Sequence, residues 1–248
     1  MNGIIQVQFV GRLGNQLQQY CSMKAYALSI GAEFETAPWW GREVFVNATE
    51  PDYSCELPGV NDGACGHEPS LQEEQTNVRV SGYFMMQRWA GLLSRVQCRE
   101  WLQINPSMIE ACGPKIKPWY MAAHVRQGDS IGSEMYCQVK ESSYLRACEK
   151  HHLPIEHLVW VRENEPRIIP GIPHWLPDFV TLARSDILLR ANSSYSWWAA
   201  MISTGKVFSP VVEDRVGPRE VEFVEGNWPR IADTNRTGVK VEDLYVRD

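Results

Sequence analysis

Three short runs in this sequence combine residue types that can hold a charged ligand. The most pointed is His124-Val125-Arg126-Gln127-Gly128-Asp129, which closes an apolar stretch. On the two-residue period of a strand, His124 and Arg126 project from the same side. A guanidinium at a strand tip can grip a phosphate through two parallel N–H bonds. Asp129 can fix the arginine or cap the next turn. Taken alone, the run fits equally a surface Arg–Asp ion pair beside a buried histidine. The second run is Asn192-Ser193-Ser194-Tyr195-Ser196-Trp197-Trp198. Asn and Ser at a helix start offer side-chain donors, and the first-turn N–H groups of the helix favour an anion. The two tryptophans are suited to pack that helix onto a sheet. The third run, Gly11-Arg12-Leu13-Gly14-Asn15-Gln16, has glycines that let backbone approach a ligand. It also fits an ordinary strand-to-helix turn capped by Asn15. It is neither the dinucleotide G-x-G-x-x-G nor a P-loop, which needs G-K-[ST].

These runs need elements to position them. Residues 4–10 read as a strand, and Leu17, Tyr20, Cys21, Ala27 and Leu28 follow the spacing of one apolar helix face that ends at Gly31. Residues 47–77 read as a long surface loop, 78–80 as a strand and 87–96 as a helix. Residues 105–118, with Pro106, Gly113, Pro114 and Pro118, read as a linker between two halves. Beyond it the pattern alternates. Strands are expected at 119–125, 157–161, 187–191 and 206–209, with helices at 142–151, 179–185 and 193–202. Such alternation predicts an α/β protein with a parallel sheet covered on both faces. Ligands then bind at the carboxyl ends of strands, where all three runs lie.

Composition narrows the function classes. The 248 residues carry 24 Lys+Arg against 30 Asp+Glu, a net charge of −6, which argues against a nucleic-acid backbone as partner. An apolar share of 44% is enough for a packed core, so global disorder is excluded. The 10 Trp suit sugar-facing surfaces and cores alike. The seven cysteines (21, 55, 65, 98, 112, 137, 148) are odd in number and form no C-x-x-C, so they read as mostly reduced thiols in a reducing, cytoplasmic compartment. Cys65-Gly66-His67 offers two isolated ligands, short of the four a structural zinc site takes. No run approaches the ~20 apolar residues of a membrane span, and the first residues lack a basic region followed by an apolar one, so a soluble, cytoplasmic protein is expected. The Asn-x-Ser/Thr triplets at Asn47, Asn192 and Asn235 then read as chance matches.

Together and in this order, Gly11-x-Leu-Gly-Asn-Gln-x-x-Gln-Tyr20, the 124–129 run and Asn-Ser-Ser-Tyr-Ser-Trp-Trp-Ala-Ala at 192–200 resemble the α-1,2-fucosyltransferase family. Gly82-Tyr83-Phe84 resembles a further short signature of it. The resemblance spans nearly the whole chain. It implies a GT-B-like α/β fold of two Rossmann-like lobes facing a central cleft. Residues 1–113 would be the acceptor-side lobe and 114–248 the lobe that binds the nucleotide sugar. It implies inverting transfer of fucose from GDP-fucose to a glycan hydroxyl, α-1,2 to galactose, with no cofactor and no essential metal. The absence of any Asp-x-Asp agrees with the last point.

Position by position, the resemblance gives Arg126 the diphosphate, with His124 and Asp129 shaping its pocket. It gives Asn192, Ser193, Ser194 and Ser196 to the phosphate oxygens. Gly14, Asn15 and Gln16 would face the same crevice, and Asp178, placed before the helix leading to Ser185, matches an acidic position. There are departures. The family's usual Ser-Asp-Asp is replaced by Arg162-Glu163-Asn164, where Glu163 is either the substitute for the carboxylate that reads guanine or a solvated loop residue beside Arg162 and Arg167, and Gln18 stands where an aromatic residue is usual. The chain is also somewhat short, which suggests trimmed acceptor-side loops. For the general base, Glu43, Asp52 and His67 are candidates that spacing does not rank. The competing readings are a related glycosyltransferase with another sugar nucleotide, and a non-catalytic sugar-nucleotide or glycan-binding protein. A dinucleotide oxidoreductase lacks its glycine fingerprint.

Overall fold

Ile5 and Val7 are fully buried within the first strand, β1 (Ile4–Gln8), and they seed a four-stranded parallel sheet. The computed structural model describes residues 3–61, 71, 73–84, 89, 91–128, 131–132, 137–212 and 217–227. These divide into two compact units, one running to Asn105 and the other starting at Pro106.

In the first unit, β2 (Glu33–Thr36), β3 (Gly59–Asn61) and β4 (Val78–Ser81) join β1 in the order β2-β1-β4-β3, every pair parallel. Helix α1 (Leu13–Ser29) crosses from β1 to β2. Its Met23, Tyr26 and Ala27 pack with Ile5, Val7, Val78, Val80, Phe84 and Trp89 to form the core. At its end Gly31 takes φ +65°, and the Ala32 N–H returns to the Ala27 carbonyl at 2.9 Å, a glycine-dependent helix stop. Helix α2 (Arg95–Trp101) completes the unit. The helix expected over 87–96 does not run through: residues 91–94 are turn and bridge, and 85–88 and 90 lie outside the described residues.

In the second unit, β5 (Met121–Val125), β7 (Leu158–Arg162), β8 (Ile187–Leu189), β9 (Lys206–Val211) and β11 (Glu222–Glu225) form a sheet ordered β11-β9-β8-β5-β7. All its pairs are parallel except β11 with β9. Every residue of β5 is buried, as its unbroken apolar run demands of a central parallel strand. A small parallel pair, β6 (Cys137–Val139) with β10 (Gly217–Arg219), stands apart. The helices are α3 (Pro106–Ala111), α4 (Glu141–Lys150), α5 (Leu176–Ala183) and α6 (Ser194–Ile202).

Further expectations need correction: residues 47–77 are not loop throughout, since β3 lies within them. Pro106 does not continue a linker; it opens α3, where its missing N–H costs no helix bond. Likewise Pro177 sits in the first turn of α5, so that helix starts at Leu176 and Asp178 lies inside its first turn rather than before it. Entry into β5 is fixed by Asp186, whose carboxylate accepts from the Tyr120 N–H at 2.9 Å and from Lys115 at 2.8 Å.

Candidate active site

The carboxyl end of β5 lies between those of β7 and β8, and there the second unit gathers its polar side chains. His124 is 4% exposed. Its carbonyl accepts from the Tyr144 hydroxyl at 2.7 Å, and its ring lies 5.5 Å from that of Tyr195. Its Nδ1 is buried without a hydrogen-bond partner. Burial, helped by the charge of Arg126, pulls its pKa down to about 3. The ring is therefore neutral at pH 7. It can shape a site there and exchange one hydrogen bond, but it cannot supply positive charge.

Arg126 follows two residues later and is half-buried. Its Nη1 donates to the Asn192 carbonyl at 3.0 Å. This bond joins the tip of β5 to the loop between β8 and α6, so the 124–128 run and the 192–196 run share one site. Asn192 is 2% exposed, and its Nδ2 is buried without a partner. Ser193 is the N-cap of α6: its Oγ accepts from the Tyr195 N–H at 3.3 Å. The first intrahelical bond found there is Trp197 N–H to Ser193 carbonyl at 3.0 Å, so the earlier N–H groups have no helical carbonyl to meet. Ser194 is half-buried in that first turn. Ser196 is fully buried, and its hydroxyl donates to the Ala191 and Ser193 carbonyls at 3.3 and 3.4 Å. Asp129 lies outside the described residues.

Glu163, one residue past β7, accepts from the Gln127 N–H at 3.1 Å. Gly128 has φ +63°, and a Cβ placed on it would come within 3.0 Å of Glu163 Oε1. Glu163 thus braces the turn that carries Arg126, and glycine keeps that brace close. Asp178 accepts from the Arg167 N–H at 3.3 and 3.4 Å, while Arg167 Nη2 reaches the Cys112 carbonyl at 2.7 Å. Burial raises the Asp178 carboxyl to about 6 against the opposing pull of Arg167.

One residue of this region escaped sequence reasoning. Arg190 is 1% exposed just past β8, with Nε on Ser209 Oγ at 2.8 Å and Nη1 on the Ala191 carbonyl at 3.3 Å. The available signal was an arginine closing the apolar run Ile187–Leu189.

Gly14, Asn15 and Gln16 belong to the first unit, in the first turn of α1. Gly11 has φ +76°, and a Cβ there would lie 2.5 Å from Asn15 Nδ2, so this turn requires glycine. Gln16 is 7% exposed; its amide donates to the Gly11 carbonyl at 3.1 Å and accepts from the Trp40 N–H at 3.0 Å. Of the general-base candidates, Glu43 is exposed, Asp52 pairs with Arg42, and His67 lies outside the described residues. Among the described residues no cluster of three His, Cys, Asp or Glu can hold a metal ion, and no helix is long and apolar enough to cross a membrane. Cys21, Cys55, Cys98, Cys112, Cys137 and Cys148 take part in no disulfide; Cys65 lies outside the described residues.

No protein-family model matches the sequence, and no curated protein matches it. Solved structures match in fold. The NodZ α-1,6-fucosyltransferase co-crystallized with GDP superposes with a TM-score of 0.55 at 13% identity, covering 92% of this chain and 100% of that one. The fucosyltransferase NodZ from Bradyrhizobium gives 0.56 at 12% identity, covering 91% and 99%. A variant of Arabidopsis thaliana FUT1 in complex with GDP gives 0.55 at 9% identity, covering 84% and 70%. What these identities share with the chain is the fold, a mixed α/β architecture with parallel sheets.

Proposed function

We propose that this protein is an inverting glycosyltransferase of the GT-B type that moves fucose from GDP-fucose to a glycan hydroxyl, forming an α-1,2 linkage to galactose. The observation that carries the reading is the bond from Arg126 to the Asn192 carbonyl. It joins a strand-tip guanidinium to a serine-capped helix start, two features that favour a diphosphate. The fold neighbours add support, since NodZ was crystallised with GDP and soaked with GDP-fucose. The α-1,2 linkage rests on the motif resemblance. In this reading the first unit takes the acceptor, the second takes the donor, and the protein works in the cytoplasm with its thiols reduced.

Fucosyl transfer asks for charge stabilisation more than covalent help. As the bond from the sugar's anomeric carbon to the diphosphate breaks, negative charge grows on the departing GDP. In this reading Arg126 and the first turn of α6 meet that charge. Neutral His124 shapes the wall beside that charge. Holding donor and acceptor in line supplies a further share of the acceleration.

A second reading has its own observation. The Glu163 carboxylate is engaged by the Gln127 N–H, which weakens its assignment as reader of guanine. That favours a related glycosyltransferase using another sugar nucleotide.

The test is GDP-fucose turnover with and without a galactose-terminated oligosaccharide, in excess EDTA. The expected result is slow hydrolysis without acceptor, faster transfer with it, and an α-1,2 linkage in the product by NMR. Consumption of a UDP-sugar in place of GDP-fucose would move the assignment to the second reading. Loss of activity in EDTA, restored by added metal, would contradict the leaving-group chemistry.

A further inference from the structure

Adjacent tryptophans in the first unit have opposite fates. Trp39 is 7% exposed and sits in an aromatic stack, 5.2 Å from Phe9, 4.8 Å from Tyr20 and 6.0 Å from Phe45 between ring centres. Trp40 is 42% exposed. The reversal is built into the chain. A Cβ on Gly41 would lie 2.3 Å from the Trp39 ring, so only glycine follows this turn without displacing the buried ring. The Trp40 N–H is tied to Gln16 at 3.0 Å.

A second exposed ring stands on a segment held in the same way. Tyr83, 38% exposed, lies just past β4. The carbonyl before it, Gly82, accepts from Gln19 at 2.7 Å, and the carbonyl after it, Phe84, accepts from Gln18 at 2.9 Å. Phe84 itself holds φ +50°, a conformation a buried aromatic residue keeps only when its surroundings dictate it. Gln19 also closes a two-bond ring on Val10, at 3.0 Å each way. Three buried glutamines in the first two turns of α1 therefore hang both aromatic segments beside the carboxyl end of the sheet.

We propose that Trp40 and Tyr83 form a binding platform for the glycan acceptor, with Gln16, Gln18 and Gln19 as its positioning residues. This rests on the reading of the chain as a glycan-modifying transferase. The chemistry favours a neutral, hydroxyl-rich ligand. Aromatic faces carry negative potential and attract the C–H face of a pyranose. Arg42, two residues past Trp40, is balanced by its ion pair with Asp52 and so brings no unmatched charge of its own. Anchored rings bind with little ordering cost.

The experiment is a calorimetric titration of an oligosaccharide ending in β-galactose into the wild-type chain, Trp40→Ala, Tyr83→Ala and the control Trp119→Ala. Trp119 is 39% exposed in the second unit and packs on His157. The expected result is wild-type binding, weakened about tenfold by Trp40→Ala and less by Tyr83→Ala, and untouched by Trp119→Ala. Equal affinity across all four folded proteins, or no binding by the wild type, would overturn the platform. Glycan binding that depends on Trp40 in a protein that turns over no sugar nucleotide would leave the platform standing and remove the transferase reading. Turnover of GDP-fucose with Trp40-independent glycan binding would do the reverse.

Discussion

The two units end their sheets differently. In the first, the strand-end segments are held by neutral amides, and Gln16, Gln18 and Gln19 meet backbone groups of Gly11, Trp40, Phe84, Val10 and Gly82. In the second, the strand ends carry Arg126 and the buried Arg190, while His124 Nδ1 and Asn192 Nδ2 are buried without partners. A buried polar atom without a partner costs on the order of 1–3 kcal/mol. Trp39 Nε1 in the first unit and the indole nitrogens of Trp197 and Trp198 are buried in the same way, so it is the nearness of His124 and Asn192 to Arg126 that sets these two atoms apart. The contrast supports the proposal that the second unit takes the anionic ligand, while the glutamines of the first hold backbone in place.

The largest expected effect tests the scaffold. Gln19→Leu removes three hydrogen bonds at a fully buried position and leaves Val10 and Gly82 groups unmet. The loss expected in chemical denaturation is about 3–5 kcal/mol. A loss below about 1 kcal/mol would mean that water or relaxation replaces the clamp.

Next in size is the acid response of the second unit. The folded pKa of His124, about 3, lies below its ordinary 6.5, so the neutral ring contributes stability that is complete above pH 6.5 and drains away as pH falls toward 3. Thermal or denaturant melts should show about 2–3 kcal/mol lost by about pH 4.5, and His124→Gln should flatten that slope. An unchanged slope in the variant would place the acid-sensitive group elsewhere.

Asp178 has the opposite sign and a smaller effect. Its folded pKa, about 6, exceeds its ordinary 3.8, so its contribution is full below 3.8 and is lost as pH rises through 6. Since the group is only half-buried, Asp178→Asn should raise stability at pH 7.5 by no more than about 1–2 kcal/mol. It should also steepen the fall toward acid, because the opposing contribution is gone. A destabilised variant at pH 7.5 would show that the bond from the Arg167 N–H needs a charged acceptor.

Legibility in the sequence followed the apolar pattern. The unbroken run before His124 marks β5, and Asn192-Ser193 marks the start of α6, because both signals are local. β2 was not legible: Glu33 and Glu35 disguise it, and Glu35 is buried only because Gln6 and the Ser54 N–H meet its carboxylate. β11, with Glu222 and Glu225, is an antiparallel edge strand whose partner is decided by tertiary packing. Pro106 and Pro177 look like breakers, yet each stands in a first helical turn. Among site residues, the types at 124, 126 and 192–194 announced themselves. The partners of Glu163 and Gln16 did not, since Gln127 and Trp40 are set by the fold and not by spacing.

The most direct test of the comparison is a calorimetric titration of GDP into the wild-type protein and Arg126→Ala, with melting curves for both. The account predicts binding by the wild type and affinity at least about tenfold weaker in a variant that melts normally. Equal GDP affinity in the two folded proteins, or no GDP binding by the wild type, would contradict the assignment of the diphosphate to the end of β5.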